Sequence, residues 1–185
     1  MSYYATWFLV LAPAGAVERH GPALRAQLAE HAAAPGTRAL WRRWEREELG
    51  FDELEALASG PFGLDVEAMY AVWEDCAGLR PYGAVSARNR FPMLGLAHAL
   101  GPERIRELPG WFGDLVLSPD EVRATLPAVE ALFALDGAAR VEAERRAEQA
   151  LRSADPVGDL FDTAVPIWRA AAEGGHGLIG AQIVP

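Results

Sequence analysis

Residues 168–185, WRAAAEGGHGLIGAQIVP, change from a helical pattern to an apolar run at a glycine-rich break. Gly174 and Gly175 are typical of a helix end, because glycine readily adopts the left-handed backbone that closes many helices. The apolar residues after Gly177 predict a buried β-strand. His176 lies at the break. We interpret it as a turn residue, with the alternative that it lines a cleft at the end of a sheet.

Residues 3–17, YYATWFLVLAPAGAV, are uncharged and predict a second buried strand. No basic residue precedes Tyr3, as a secretory signal would require, and Pro13 and Gly15 interrupt the run before it reaches the about 20 apolar residues of a membrane span. We therefore expect a cytoplasmic protein without a membrane partner. A lone apolar strand cannot satisfy its backbone groups, so both end strands are expected in one sheet, with residues 113–117, GDLVL, as a candidate third strand.

Helical patterns dominate the chain between these two ends. Ser118 and Glu121 have the spacing of a capping box at a helix start, and residues 155–156, Asp-Pro, predict the start of the last helix. Glycine and proline recur every few residues over 78–118, where we expect mostly irregular chain around two short helical patterns. The sequence therefore predicts a predominantly helical α+β fold, with residues 1–185 forming a single domain.

Composition narrows the classes of function. The chain has a net charge of −9 and its basic residues, all Arg, are mostly interleaved with Glu, which argues against a nucleic-acid partner. The single cysteine, Cys76, cannot form an intramolecular disulfide, and the four histidines are scattered without metal-ligand spacing. We therefore expect no metal and no cofactor. Six tryptophans supply large apolar side chains that we assign to the core.

The segment that most suggests a binding site is 79–92, LRPYGAVSARNRFP. It carries three arginines with no acidic residue between them, together with neutral hydrogen-bond donors, ahead of a helix start at Pro92. Guanidinium groups beside a helix N-terminus favour phosphate or carboxylate binding. The alternative is that these arginines pair with carboxylates elsewhere in this acidic chain. The candidate ligand-binding residues are Arg80, Tyr82, Ser86, Arg88, Asn89 and Arg90.

The two ends of the chain, residues 1–11, MSYYATWFLVL, and 168–185, also resemble the ends of the YfbM-like family of small cytoplasmic bacterial proteins. The resemblance covers about thirty residues at the ends of the chain. It implies an α+β fold that begins on a short strand and finishes with a helix, a glycine-rich break and an apolar strand. The family has no established activity, so the resemblance implies no catalytic residues.

Two hypotheses about function remain. The first is a non-catalytic cytoplasmic protein that binds another protein or, through the segment from Arg80 to Arg90, a small anionic ligand. The second is a small enzyme, a hydrolase or a transferase, that acts on an anionic small molecule. In that case His176 or His98 would serve as the general base, and Arg88 and Arg90 would hold the substrate.

Overall fold

A computed structural model describes residues 2–152 and 157–184 of the chain. Helices dominate it, and the strands at the two ends of the chain belong to one sheet, which confirms the α+β single-domain fold. The helix start predicted at residues 155–156 lies outside the described residues. In chain order the elements are β1 (Tyr4–Ala12), α1 (Ala14–Ala33), α2 (Pro35–Glu45), α3 (Phe51–Ala58), a 3₁₀ turn (Phe62–Leu64), α4 (Val66–Cys76), β2 (Tyr82–Arg88), α5 (Pro92–Ile105), β3 (Leu115–Leu117), α6 (Pro119–Phe133), α7 (Gly137–Leu151), α8 (Gly158–Asp162), α9 (Ala164–Gly174) and β4 (Gly177–Ile183).

The described strands form one antiparallel sheet in the order β2-β1-β4-β3. The two strands from the chain ends, β1 and β4, are its central pair, and Ala12 lies opposite Gly177. The candidate strand at residues 113–117 is confirmed as β3, where Leu117 lies opposite Leu178. At the other edge β2 pairs only with β1 among the described strands.

Helices cover the sheet on both sides, so β1 is buried on both faces. Trp7 and Leu9 belong to the larger core, which includes residues of α5 and α9. Phe8 and Val10 belong to a second core, which includes residues of α1 and α4. Because consecutive strand residues face opposite sides of a sheet, a strand between two cores needs a continuous apolar run.

The expectation of irregular chain over 78–118 is wrong for residues 82–88, which form β2. Their burial alternates strictly, but the residues that face the larger core are small. At Gly83 a Cβ would lie 2.3 Å from Cγ2 of Thr163, because the start of α9 packs closely beneath the strand. Small residues at the inward-facing positions therefore leave room for the start of α9. They also weaken the alternation of large apolar and polar residues that predicts a strand.

Two buried polar side chains, Asp114 and Gln182, join several elements beside β3. The Asp114 carboxylate accepts hydrogen bonds from the backbone N–H groups of Phe62, at 2.8 Å, and Gln182, at 2.9 Å. The Gln182 amide donates to the Ala58 carbonyl at 2.6 Å and accepts from the Met93 N–H at 3.2 Å. These bonds link the ends of α3 and α5 to β4.

The predicted helix boundaries at Ser118 and Gly175 are confirmed. Ser118 and Glu121 form the reciprocal capping box, with the Ser118 N–H donating to Oε2 of Glu121 at 2.7 Å. Gly175 closes α9 in the left-handed region, at a φ of 67°. His176 follows it in the turn before β4, and its N–H donates to the Ala171 carbonyl at 2.9 Å.

Candidate binding surface

Three of the six candidate ligand-binding residues lie on one face of β2. Tyr82, Ser86 and Arg88 alternate with buried residues and are all exposed. The face continues onto β1, where Thr6 lies opposite Ser86 and the two hydroxyl oxygens are 2.8 Å apart. Arg80 reaches the same face, because its guanidinium lies over the Tyr82 ring at 4.8 Å from the centroid.

The arginines at the two ends of β2 make neutral hydrogen bonds. Nη1 of Arg80 donates to the Leu79 carbonyl at 2.9 Å, and Nε of Arg88 donates to Oγ of Ser2 at 2.8 Å. Within residues 2–152 and 157–184, neither guanidinium forms an ion pair with a carboxylate. Both arginines are exposed, on a chain that is acidic overall.

The other two candidate residues lie elsewhere. Arg90 forms ion pairs with Glu55 and, at 2.8 Å, with Asp52, both on α3, which packs in the larger core on the opposite side of the sheet. Asn89 accepts a hydrogen bond from the Tyr3 N–H at 3.1 Å. The structure therefore places Arg80, Tyr82, Ser86 and Arg88 on one face of the sheet and separates them from Arg90. Ligand binding by these residues stays a prediction.

Exposed aromatic side chains from β1, α4 and β2 lie on the same side of the sheet as these residues. The exposed fractions are 57% for Tyr4, 55% for Tyr70, 40% for Trp73 and 45% for Tyr82. The Trp73 ring contacts Phe8 and Tyr82 edge-on, with centroids 5.8 and 5.7 Å apart, and borders a hollow of about 240 Å³ between α4 and the sheet. We call this surface the aromatic face; it comprises Tyr4, Thr6, Tyr70, Trp73, Tyr82, Ala84, Ser86 and Arg88.

The sequence analysis missed the contribution of α4. Val66, Met69, Tyr70 and Trp73 have the spacing of one helical stripe, which predicts a core-facing side, and the assignment of all tryptophans to the core is wrong for Trp73. The stripe is wider than the buried area because β2, at the edge of the sheet, has no described helix over its outer face. The width of this apolar stripe is the feature of the sequence that could have indicated an exposed apolar surface on α4.

The chemistry of the aromatic face suits binding. Aromatic rings offer apolar contact area, and the hydroxyl and guanidinium groups offer directional hydrogen bonds. The thiol of Cys76 lies beneath α4, and burial raises its pKa to about 11, so it stays protonated near neutral pH and is a poor nucleophile.

A second concave region, a groove of about 970 Å³, opens between α2, α3 and α5. His98 lines it and packs edge-on against Phe51, with ring centroids 4.9 Å apart. Burial, together with the nearby charges of Arg146 and Arg145, lowers the pKa of His98, so its imidazole is neutral near pH 7. The charged residues that line the groove are Glu45, Glu47, Glu103, Arg104, Arg106 and Arg146.

His176 lies far from Arg88. Gly177, the residue after His176, pairs with Ala12 at one end of β1, whereas Arg88 pairs with Tyr4 at the other end. Eight residue steps along a strand span about 26 Å. The structure therefore does not bring His176 and Arg88 to one substrate.

Residues 2–152 and 157–184 contain neither a metal-binding cluster nor a membrane-spanning helix. No three His, Cys, Asp or Glu side chains there are grouped so that they could hold a metal ion. In the same part of the chain, no helix combines the length and the apolar character needed to cross a membrane.

Comparison of the chain with protein-family models, with curated proteins and with solved structures gave no match. The resemblance of the chain ends to the YfbM-like family therefore stays a prediction.

Proposed function

We propose that the chain is a non-catalytic protein of the bacterial cytoplasm that binds another protein through the aromatic face. The observation that carries this proposal is that Tyr4, Tyr70, Trp73 and Tyr82 are exposed on one surface, with Arg88 opposite Tyr4. Tyrosine, tryptophan and arginine are the residues enriched at the energetic centres of protein interfaces. An exposed apolar patch rimmed by polar groups is typical of an interaction surface.

The spacing of the charges supports a macromolecular partner over a small anion. Tyr82, which carries the guanidinium of Arg80 on its ring, and Arg88 are six residue steps apart, a distance of about 20 Å along a strand. The two arginines at the ends of β2 therefore cannot hold one phosphate. Arg90, the third, is already held by Glu55 and Asp52.

The test is site-specific photo-crosslinking in bacterial cells that produce the chain. A photo-reactive phenylalanine analogue replaces Tyr70, at the centre of the face, or Val141, which is 65% exposed on α7 and serves as the matched control. We expect a light-dependent adduct with a protein at position 70 and none at position 141, and Arg88→Glu should weaken the adduct. The absence of adducts at position 70, or equal adducts at both positions, would contradict the proposal.

The groove around His98 favours a second candidate function, a small enzyme that acts on an anionic small molecule. A neutral imidazole can accept a proton, and arginine side chains line the same groove. If this function holds, inorganic phosphate should raise the melting temperature, and His98→Gln and Arg146→Gln should reduce the effect. Arg123→Gln, on the exposed side of α6, is the control. Equal responses in all variants would argue against the groove.

A further inference from the structure

The aromatic face forms the floor and the side of a stepped surface. On this side of the sheet α1 and α4 form a helical layer, and α4 stands beside the uncovered strand β2. A helix packed on a sheet rises about 10 Å above it. Tyr70 and Trp73 are exposed on the side of the step, and Ala84 and Ser86 lie on its floor.

The two levels of the step carry opposite charges. Arg80 and Arg88 lie at the two ends of β2, on the floor. Glu67 and Glu74 are exposed on α4, three residues before and four residues after Tyr70, so they lie beside Tyr70 on the crest of the helix, above the side of the step.

These charges also correspond in position along the strands. Trp73, next to Glu74, contacts Tyr82 and lines a separate small crevice with Arg80, so Glu74 lies near the Arg80 end of β2. Val66, next to Glu67, borders the hollow with Thr6, which pairs with Ser86. Glu67 is therefore level with Ser86, two residues or about 7 Å from Arg88 along the strand, a gap that an extended arginine side chain can span.

From this arrangement we infer that the partner of the aromatic face is a second copy of this chain. A two-fold rotation about an axis parallel to β2 places the α4 crest of each copy on the β2 floor of the other. Because that rotation preserves position along the strands, Glu67 of each copy meets Arg88 of the other, and Glu74 meets Arg80. The same two-fold rotation therefore brings complementary shapes and opposite charges into contact, as an isologous dimer requires.

The size of the surface predicts a modest affinity. β2 has seven residues, which span about 23 Å, and α4 has eleven, which span about 16 Å. A contact of that length and two elements wide belongs to the small interfaces, below about 1,200 Å² in total. We therefore expect a dimer that dissociates at about micromolar concentrations.

The inference rests on the proposed function, and its test is sedimentation of the purified full chain over a range of concentrations. The wild-type chain should pass from monomer to dimer as its concentration rises. Arg88→Glu alone and Glu67→Arg alone should each weaken the dimer about tenfold or more, because the two-fold symmetry puts a like-charge contact at two places in the interface. Arg123→Glu on α6 is the charge-matched control and should sediment as the wild type does. Unchanged circular dichroism spectra establish that the variants are folded.

An equimolar mixture of the two single variants gives the decisive result. In a mixed dimer the carboxylate introduced at position 88 faces the guanidinium introduced at position 67, and the other contact keeps its native pair. The mixture should therefore dimerise with nearly the wild-type affinity. A mixture as dissociated as its components, or a wild-type chain that stays monomeric at its highest soluble concentration, would overturn the inference.

The two experiments separate the possible failures. If the analogue at position 70 crosslinks to a different protein and the wild-type chain is monomeric, the proposed function stands and the second copy is excluded. If position 70 gives no adduct and the wild-type chain is monomeric, both are wrong. An adduct of twice the chain mass together with rescue in the mixture supports both.

Discussion

Replacing Asp114 with asparagine should remove a fall in stability that the wild-type chain shows as the pH rises towards 8. Asp114 is fully buried, and its carboxyl group accepts hydrogen bonds from the backbone N–H groups of Phe62 and Gln182. Burial disfavours the charged form more than these two bonds favour it, and it raises the pKa of Asp114 to about 8.

The sign of the effect follows from proton binding in the two states. Above about pH 4 the unfolded chain has lost the Asp114 proton, whereas the folded chain keeps it until about pH 8. The folded state therefore binds one more proton, and the free energy of unfolding falls as pH rises, by about 1.4 kcal/mol per pH unit. From pH 6.5 to pH 8 the titration of Asp114 alone should lower the free energy of unfolding by about 2 kcal/mol.

Other titrating groups are common to the wild-type chain and the Asp114→Asn variant, so their effects cancel in the comparison of the two proteins. Burial lowers the pKa values of His31 and His98, so both are neutral in the folded chain above about pH 6.5. They contribute stability above that pH and lose it as the pH falls. The carboxylates of Glu53 and Asp162, whose pKa values arginine partners lower, change protonation only at still lower pH.

The assay is urea unfolding followed by tryptophan fluorescence at constant ionic strength, between about pH 6.5 and pH 8.5. Asp114→Asn removes the titration but leaves an amide nitrogen facing a backbone donor, so it should be less stable by about 1–3 kcal/mol at pH 6.5. The gap between the two proteins should then narrow by about 2 kcal/mol towards pH 8. Parallel pH profiles for the two proteins, or a wild-type stability that rises over this range, would refute the reasoning.

Three further substitutions test contacts that shape the fold around the site, with urea unfolding as the common measurement. Gly113→Ala should cost about 2–4 kcal/mol, because φ is +88° and the new Cβ would lie 2.5 Å from Nε1 of Trp7; a cost below about 1 kcal/mol would contradict this. Arg90→Gln should cost about 2–3 kcal/mol, since it leaves the largely buried Glu55 without its cation, and adding Glu55→Gln should recover part of the loss. Ser118→Ala should cost about 1 kcal/mol through the lost cap, and an unchanged urea midpoint would argue against that role.

The parts of the fold that could be predicted from the sequence depend on short-range signals. The runs that form β1 and β4 are uncharged and largely apolar, as a strand between two cores requires. The capping box at Ser118 and the glycine stop at Gly175 lie within a few residues of the boundaries that they set. The pairing of β1 with β4 in one sheet could be predicted because neither strand can satisfy its backbone hydrogen-bonding groups alone.

The candidate site depends on what lies opposite each residue, which a single sequence does not encode locally. Tyr70 and Trp73 lie on the stripe of α4 that faces the sheet, and they are exposed only because no described helix covers β2. Arg88 and Arg90 are two residues apart in sequence, but the strand ends between them at Asn89, where φ is +58°. One arginine therefore reaches the aromatic face, and the other reaches α3.

The arginines at the ends of β2 have two physical explanations with different consequences. Charged residues on an edge strand discourage indiscriminate pairing with strands of other chains, and that role needs only that the charges be exposed. The dimer needs each arginine at a defined level, opposite Glu67 or Glu74 of the other copy. Arg88→Lys keeps the edge charge but loses the planar two-pronged donor of arginine. If the arginines only protect the edge, Arg88→Lys should leave the dimer unchanged, and mixing Arg88→Glu with Glu67→Arg should not restore it. If the arginines make paired contacts, Arg88→Lys should weaken the dimer, and the mixture should restore it.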